Sequence, residues 1–138
     1  AEMGGSRIHV INLEDFSVSY IPIGSNPRAI VLSPDNSMMY VTMNLSGKVA
    51  SWDLVNNKAG KSVKTGKAAR SLAISSDGTA LFVVNFVSDT MSKVRTSDMK
   101  VLQNIKVCNE PIGITYDSPT SRTWVACYGG SVKIFDNK

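Results

Sequence analysis

A 42-residue repeat constrains this chain more than any other feature. Three segments align without a gap: GSNPRAIVLSPDNSMMYVTMN from Gly24, GKAARSLAISSDGTALFVVNF from Gly66, and CNEPIGITYDSPTSRTWVACY from Cys108. A second shared element lies between them, as RIHVINL from Arg7, KVASWDL from Lys48, TMSKVRT from Thr90 and SVKIFD from Ser131. A third leads back to the start of each unit, as SVSYIPIG, KSVKTG and KVLQNIKVC. Self-similarity at this period marks stacked supersecondary units, none of which buries its apolar surface alone.

Each unit holds four short runs rich in Val, Ile, Thr and aromatic residues, separated by SPDNS, SSDGT or DSPTS. These clusters are turn chemistry: Pro presets φ, Asp bonds the backbone ahead of it, and Asn or Gly accepts a positive φ. Short β-forming runs broken every 8–12 residues predict an all-β chain, and helical spacing is sustained nowhere. A period of ~40–45 residues with four strands is the pattern of a β-propeller blade. With strands lettered A to D, A is RAIVL, RSLAI and IGITY, and B is MMYVTM, ALFVVN and RTWVAC. C is the VASWDL-type run and D the VSYIPI-type run. The expected organisation is one propeller portion over 1–138, with a partial blade at 7–23, blades at 24–65 and 66–107, and a partial blade at 108–136. That is an incomplete ring of a little over three blades.

Tyr40-Val41-Thr42-Met43 and Phe82-Val83-Val84-Asn85 resemble the signature of the YVTN-type bacterial propeller repeats. The stretch from Pro27 to Asn36 is similar to that family's Pro-x-x-x-x-x-Ser-Pro-Asp-Gly lead-in, and the likeness runs from Arg7 to Asp136. The third unit departs from it, with Trp124-Val-Ala-Cys127 and no Asp-Gly turn. The resemblance implies a periplasmic, secreted or cell-surface propeller, joined in many members to other domains. Lys48–Leu54 and Ser131–Asp136 are also similar to the Trp-Asp strand of WD40 repeats. The Gly-His pair those repeats carry before strand A is missing at Ser25-Asn26, Lys67-Ala68 and Asn109-Glu110.

Propellers close with ~4–8 blades, and each blade packs on its neighbours. A little over three blades leaves two apolar faces open, and such faces predict association. The chain is therefore expected to be part of a larger propeller or to form a homo-oligomer. Head-to-tail pairing of two copies gives six blades with one C strand left over.

The net charge is +4, and Lys58 to Arg70, the densest basic stretch, holds five cations. Without a clustered stripe or interleaved aromatics, no nucleic-acid partner is expected. No apolar run approaches the ~20 residues of a membrane span, so membrane insertion is not expected. The N-terminus shows no charged region followed by an apolar stretch, so a signal peptide is expected to be removed or never present. His9 is the sole histidine and no CxxC occurs, so neither a metal nor a cofactor is expected. Cys108 and Cys127 lie at the ends of strands in one blade. Antiparallel pairing brings them to the same side, as a disulfide or as two buried thiols.

Strand alternation puts the D-to-A and B-to-C loops on one end of the blades: 24–28, 66–70 and 108–112 with 44–47, 86–89 and 128–130. Function on repeat scaffolds gathers on such loops. Arg28 and Arg70 occupy the same place in successive units, and two guanidinium forks there suit a carboxylate, a phosphate or an acidic sugar. The alternatives are pairing with Glu110 or Asp89, or plain solvation. The third unit has Ile112 at this place. Asn44, Glu110 and Tyr128 complete the candidate ligand-binding set, with Tyr20 a looser one. Asn44-Leu45-Ser46 is also a glycosylation sequon.

Trp52, Trp124, Tyr40 and Phe82 read as blade packing, and Asn85 as a residue bonding loop backbone. His9 has no orienting partner in the sequence. Nothing supplies a phosphate-cradling glycine loop, a nucleophile elbow or a histidine pair, so no catalytic residue is expected. The resulting expectation is a non-catalytic scaffold for a protein, a glycan or an anionic envelope ligand. The alternatives are a piece of a lyase-like or quinoprotein-like propeller enzyme, with its catalytic residues on other blades, and a WD40-like intracellular scaffold.

Overall fold

The computed structural model describes residues 1–24 and 26–137; Ser25 and Lys138 lie outside them. Thirteen strands and no helix occur among the described residues. They are β1 (Arg7–Ile11), β2 (Val18–Pro22), β3 (Pro27–Leu32), β4 (Met38–Met43), β5 (Lys48–Asp53), β6 (Lys58–Lys64), β7 (Ala69–Ile74), β8 (Ala80–Asn85), β9 (Thr90–Arg95), β10 (Lys100–Lys106), β11 (Pro111–Asp117), β12 (Arg122–Cys127) and β13 (Val132–Asp136). Every pairing is antiparallel between sequence neighbours. The sheets are β1–β2, β3–β6, β7–β10 and β11–β13, here blades I to IV. The A strands β3, β7 and β11 contact one another in succession, which makes them the inner rim of an open β-propeller ring of about three blades.

Strand alternation explains the stacking. In β4 and β8, odd and even residues point to opposite faces, yet both sets are mostly apolar and, Met38 apart, buried, with Thr42 and Asn85 the buried polar members. Met39, Val41 and Met43 pack toward blade I with Ile8, Ile21 and Trp52. Tyr40 turns the other way and meets Ala69, Leu72, Leu81 and Val83 of blade III. Phe82 and Val84 face blade IV, where Phe82 stacks on Tyr116 at 5.6 Å between centroids, nearly parallel. Trp124 holds the equivalent place in blade IV and is 38% exposed, because nothing lies beyond that face among the described residues. Blade packing thus accounts for Tyr40, Phe82 and Trp52, but not for Trp124.

The A-to-B turns are built as their composition dictates. Asp35 accepts hydrogen bonds from the Ser33 hydroxyl (2.5 Å), the Ser37 N–H (3.1 Å) and the Ser37 hydroxyl (2.8 Å). Asp77 repeats this with Ser75 and Thr79. In blade IV the aspartate sits earlier, at Asp117, and takes a hydrogen bond from Thr120. The Ser33 hydroxyl first, then the Ser37 N–H and hydroxyl, hold the Asp35 carboxyl at about 2 instead of 3.8. A carboxyl depressed in the folded state stabilises the fold above its ordinary pKa. That contribution fades as pH falls through about 2. Carboxyl-detected NMR titration should place the Asp35 midpoint near 2, and Asp35→Asn should remove this part of the acid dependence of unfolding. A midpoint near 3.8 would contradict the turn.

Gly47 closes the B-to-C turn of blade II at φ +63°, and a Cβ there would lie 2.1 Å from the Gly66 carbonyl oxygen. Both the backbone conformation and the contact oppose a side chain. Gly47→Ala should therefore lower unfolding free energy by about 2 kcal/mol or more in urea titration. An unchanged midpoint would mean that the two loops are not in contact.

Candidate functional site

One backbone device sets the loop end of the blades. The N–H groups of Asn44, Phe86 and Tyr128 donate to the carbonyls of Asn26, Ala68 and Glu110, each at 3.0 Å. All three acceptor residues are left-handed, with φ of 59°, 55° and 52°. The D-to-A and B-to-C loops are thereby clasped together in each repeat, on one end. The non-glycine residues there carry strain of about 1–2 kcal/mol each, held by the clasp and the adjoining strands.

From these loops Arg28, Tyr128 and Glu110 lie close enough to Arg70 to act on its charge. Burial chiefly, and then the neighbouring Arg28, lower the pKa of Arg70, while Tyr128 and Glu110 act in the opposite direction. The Arg70 guanidinium lies over the Phe86 ring at 4.6 Å, and Phe86 meets Tyr128 edge-on at 6.5 Å. Arg28 directs Nη1 to the Met3 sulfur at 3.4 Å. Among the described residues, no carboxylate lies within 4.0 Å of either arginine. Pairing with Asp89 or Glu110 is therefore not what holds them. Asp89 instead accepts from the backbone N–H of Glu110 at 2.9 Å.

Asn44 has a different task. Its Nδ2 donates to the Ala69 carbonyl at 3.2 Å, and Thr42 Oγ1 donates to the Arg70 carbonyl at 3.0 Å. Both bonds cross from blade II to the first residues of β7, so they position the backbone that carries Arg70. Asn85, expected to bond loop backbone, is fully buried and bonds side chains instead. Its Oδ1 accepts from Thr65 at 2.9 Å, and Nδ2 donates to Thr90 and Ser92, each at 3.0 Å. A buried amide satisfied in this way is specific to its partners, whereas an unsatisfied one costs about 1–3 kcal/mol.

Tyr20 is not part of the arginine cluster: it lies under Arg7 (4.5 Å) and edge-on to His9 (4.9 Å) on the β1–β2 hairpin. His9 does have a polar partner, the Glu2 carboxylate at 3.2 Å. Sequence reasoning missed Phe86 and Met3 as members of the site. The only signal for Phe86 was its place in a loop already assigned to this end. Among the described residues no cluster of His, Cys, Asp and Glu is arranged to hold a metal ion.

Cys108 and Cys127 form a disulfide across the entry to β11 and the end of β12. It sits immediately beside the loop clasp that presents Glu110 and Tyr128. Closing a loop of 19 residues removes unfolded-chain entropy worth about 3 kcal/mol. Cys108→Ser/Cys127→Ser should lower stability by that order in denaturant titration, and excess dithiothreitol should reproduce it in the unaltered chain. An unchanged midpoint in both would count against the bond's structural role.

No protein-family model matches the sequence, and no curated protein matches it. Solved structures do. Hydrazine synthase of Kuenenia stuttgartiensis superposes with a TM-score of 0.78 at 27% identity, covering 80% of this chain and 32% of that one. Dihydro-heme d1 dehydrogenase NirN in complex with DHE gives 0.77 at 20% identity, over 98% of this chain and 34% of that one. The WD40 repeats of RRP9 give 0.74 at 16% identity, over 80% and 35%. The chain spans about a third of the length of each of these proteins. The class is thus the β-propeller, shared by enzymes and WD40 proteins alike.

Proposed function

We propose that this chain is a portion of a YVTN-type propeller that acts as a non-catalytic scaffold, taking an anionic ligand on the loop end marked by Arg28 and Arg70. The observation that carries the reading is the pair of neighbouring guanidinium groups without a carboxylate within 4.0 Å among the described residues, one of them stacked on Phe86. Two like charges held near one another disfavour each other, and an anion bridging them would relieve that repulsion. Guanidinium forks pair with carboxylate or phosphate through two parallel hydrogen bonds. Tyr128, 68% exposed beside them, offers a ring and a hydroxyl to an acidic glycan or a peptide.

The ligand belongs to an envelope: a protein, a glycan or an anionic polymer in the periplasm, on the surface or outside the cell. The Cys108–Cys127 disulfide supports an oxidising compartment. The rest of a parent ring or further copies of the chain would cover the faces of blades I and IV. A second reading draws on the names of two similar structures, a synthase and a dehydrogenase. In it the chain is part of a propeller enzyme, and a tightly bound cofactor in purified protein would favour that reading.

Calorimetric titration with citrate, inorganic phosphate and an oligogalacturonate tests the proposal. At least one should bind saturably, and Arg70→Ala should weaken it about 10- to 100-fold, the range for losing a charged hydrogen-bonding partner. Arg28→Ala should weaken it by a similar factor. The reading fails if none of the three binds, or if the doubly substituted chain binds as well as the original.

A further inference from the structure

Most of the densest basic stretch of the chain has no part in the arginine site. Between Asp53 and Asp77 there is no acidic residue, and Lys58, Lys61, Lys64, Lys67 and Arg70 all fall in that interval. The first three lie on β6, the outermost strand of blade II, which pairs with β5 alone. Among the described residues none of these three has a carboxylate within 4.0 Å. Lysines along a sheet edge guard it against pairing with another copy. They do not oppose a strand of the opposite charge.

Beside this edge, between two whole four-stranded blades, lies a groove of about 210 Å³. Its shape comes from a bulge. The β5–β6 register shifts between Ala50 and Trp52, so Ser51 stands against Gly60 and Lys61. The Ser51 hydroxyl donates to the Lys61 carbonyl at 2.9 Å, and a Cβ at Gly60 would run into that hydroxyl. One wall of the groove is therefore bare backbone. Met38 and Met99 line it as well, and Thr96 and Ser97 of the next blade's C-to-D turn form the other side. Methionine adapts its shape to different apolar neighbours. A cavity of ~150 Å³ already accepts a benzene-sized group, so a leucine side chain has room here. Asp53 is the one carboxylate of the lining, and it is already engaged by the Asn56 N–H (2.9 Å) and side-chain amide (2.8 Å). Lys58 and Lys61 leave the local charge positive.

We infer that β6 and this groove form a docking site for an extended acidic segment of a partner protein, with one leucine or methionine set between carboxylates. The segment lies along the free edge of β6, where main-chain hydrogen bonds hold it. Its apolar side chain enters the groove against Met38 and Met99, and its carboxylates meet Lys58, Lys61 and Lys64. Charge decides the occupant. A second copy of this chain would offer its own β6, or β10 with Lys100 and Lys106, and like charges on facing strands repel. The groove lies at the C-to-D turns, the end of the blades opposite the arginine pair. This inference and the anion reading therefore stand or fail separately.

The probe is a fluorescein-labelled synthetic peptide with a single leucine flanked on each side by two glutamates, titrated into the full chain. It should bind saturably, and hydrogen exchange should slow across Lys58–Lys64 when it is bound. Replacing its leucine by asparagine should weaken binding about tenfold or more, the cost of losing one buried apolar side chain. In the chain, Lys58→Glu/Lys61→Glu should weaken binding about tenfold, because two surface attractions become repulsions. Ser97 is exposed, so Ser97→Trp occupies the groove from the surface and should weaken binding at least about fivefold. Because the peptide pair is compared on the unaltered chain, a fold defect in a variant cannot mimic the result. The inference is overturned by absence of saturable binding, by equal affinity for the leucine and asparagine peptides, or by protection that appears elsewhere than β6. It is also overturned if a single-stranded oligonucleotide binds the same lysines more tightly than the peptide does.

Discussion

Burial on both faces of a strand is the constraint from which the rest of this structure follows. A sheet with one face in water alternates apolar and polar residues, but β8 is buried at all six positions. Such a strand is stable only between two other layers. Each blade must therefore stand face to face with its neighbours around an axis, and the same demand passes from blade II to III to IV. Burying one Val, Leu or Phe side chain is worth about 1.5–3 kcal/mol, whereas single turn hydrogen bonds contribute nearer 1 kcal/mol. Interblade packing therefore outweighs the turns, and the turns serve to set register.

The same stacking places the candidate site. Strands β4 and β7 belong to different blades, yet the Thr42 hydroxyl of the first and the Asn44 amide just beyond it hold the Arg70 and Ala69 carbonyls of the second. In the next repeat these two places are Val84 and Phe86. The polar pair is replaced by an apolar contact and an aromatic platform, and it is Phe86 on which the Arg70 guanidinium rests. A change of residue type at one repeat position thus turns an interblade tie into a surface for a cation. Asn85 shows the complementary case: its position holds Met43 in blade II and Cys127 in blade IV. Only in blade III do Thr65, Thr90 and Ser92 surround it to satisfy an amide.

These substitutions within the repeat also explain what the sequence could and could not reveal. The strands, their order and the common end for the two loop sets were legible because they are repeated three times over, and repetition averages away local exceptions. Arg28 and Arg70 were visible for the same reason. Phe86 was not, since its counterparts are Asn44 and Tyr128 and nothing repeats. Trp124 looked like its equivalents Tyr40 and Phe82, and it differs only because no further blade covers it among the described residues. A strand pattern records which face a residue takes, but not whether a neighbour is present on that face. The disulfide was open for a related reason: two cysteines at paired strand ends are compatible with a bond or with buried thiols, and the geometry of the β11 entry decides between them.

The two arginines raise a question of energy that geometry alone makes specific. A guanidinium partly withdrawn from water and close to another cation is disfavoured on both counts, and both lower the Arg70 pKa. Contact with an aromatic face returns about 0.5–2 kcal/mol depending on desolvation, which offsets the penalty for Arg70. Arg28 has only the Met3 sulfur, a weak acceptor. The residues just before the arginine-bearing strands, Asn26 and Ala68, are left-handed and accept the clasp hydrogen bonds, as Glu110 does in the next repeat, so the arginines stand on clasped loops. For the anion proposed to bind here, two cations already set on strained loops would lower the cost of binding, because assembling the charges falls on folding.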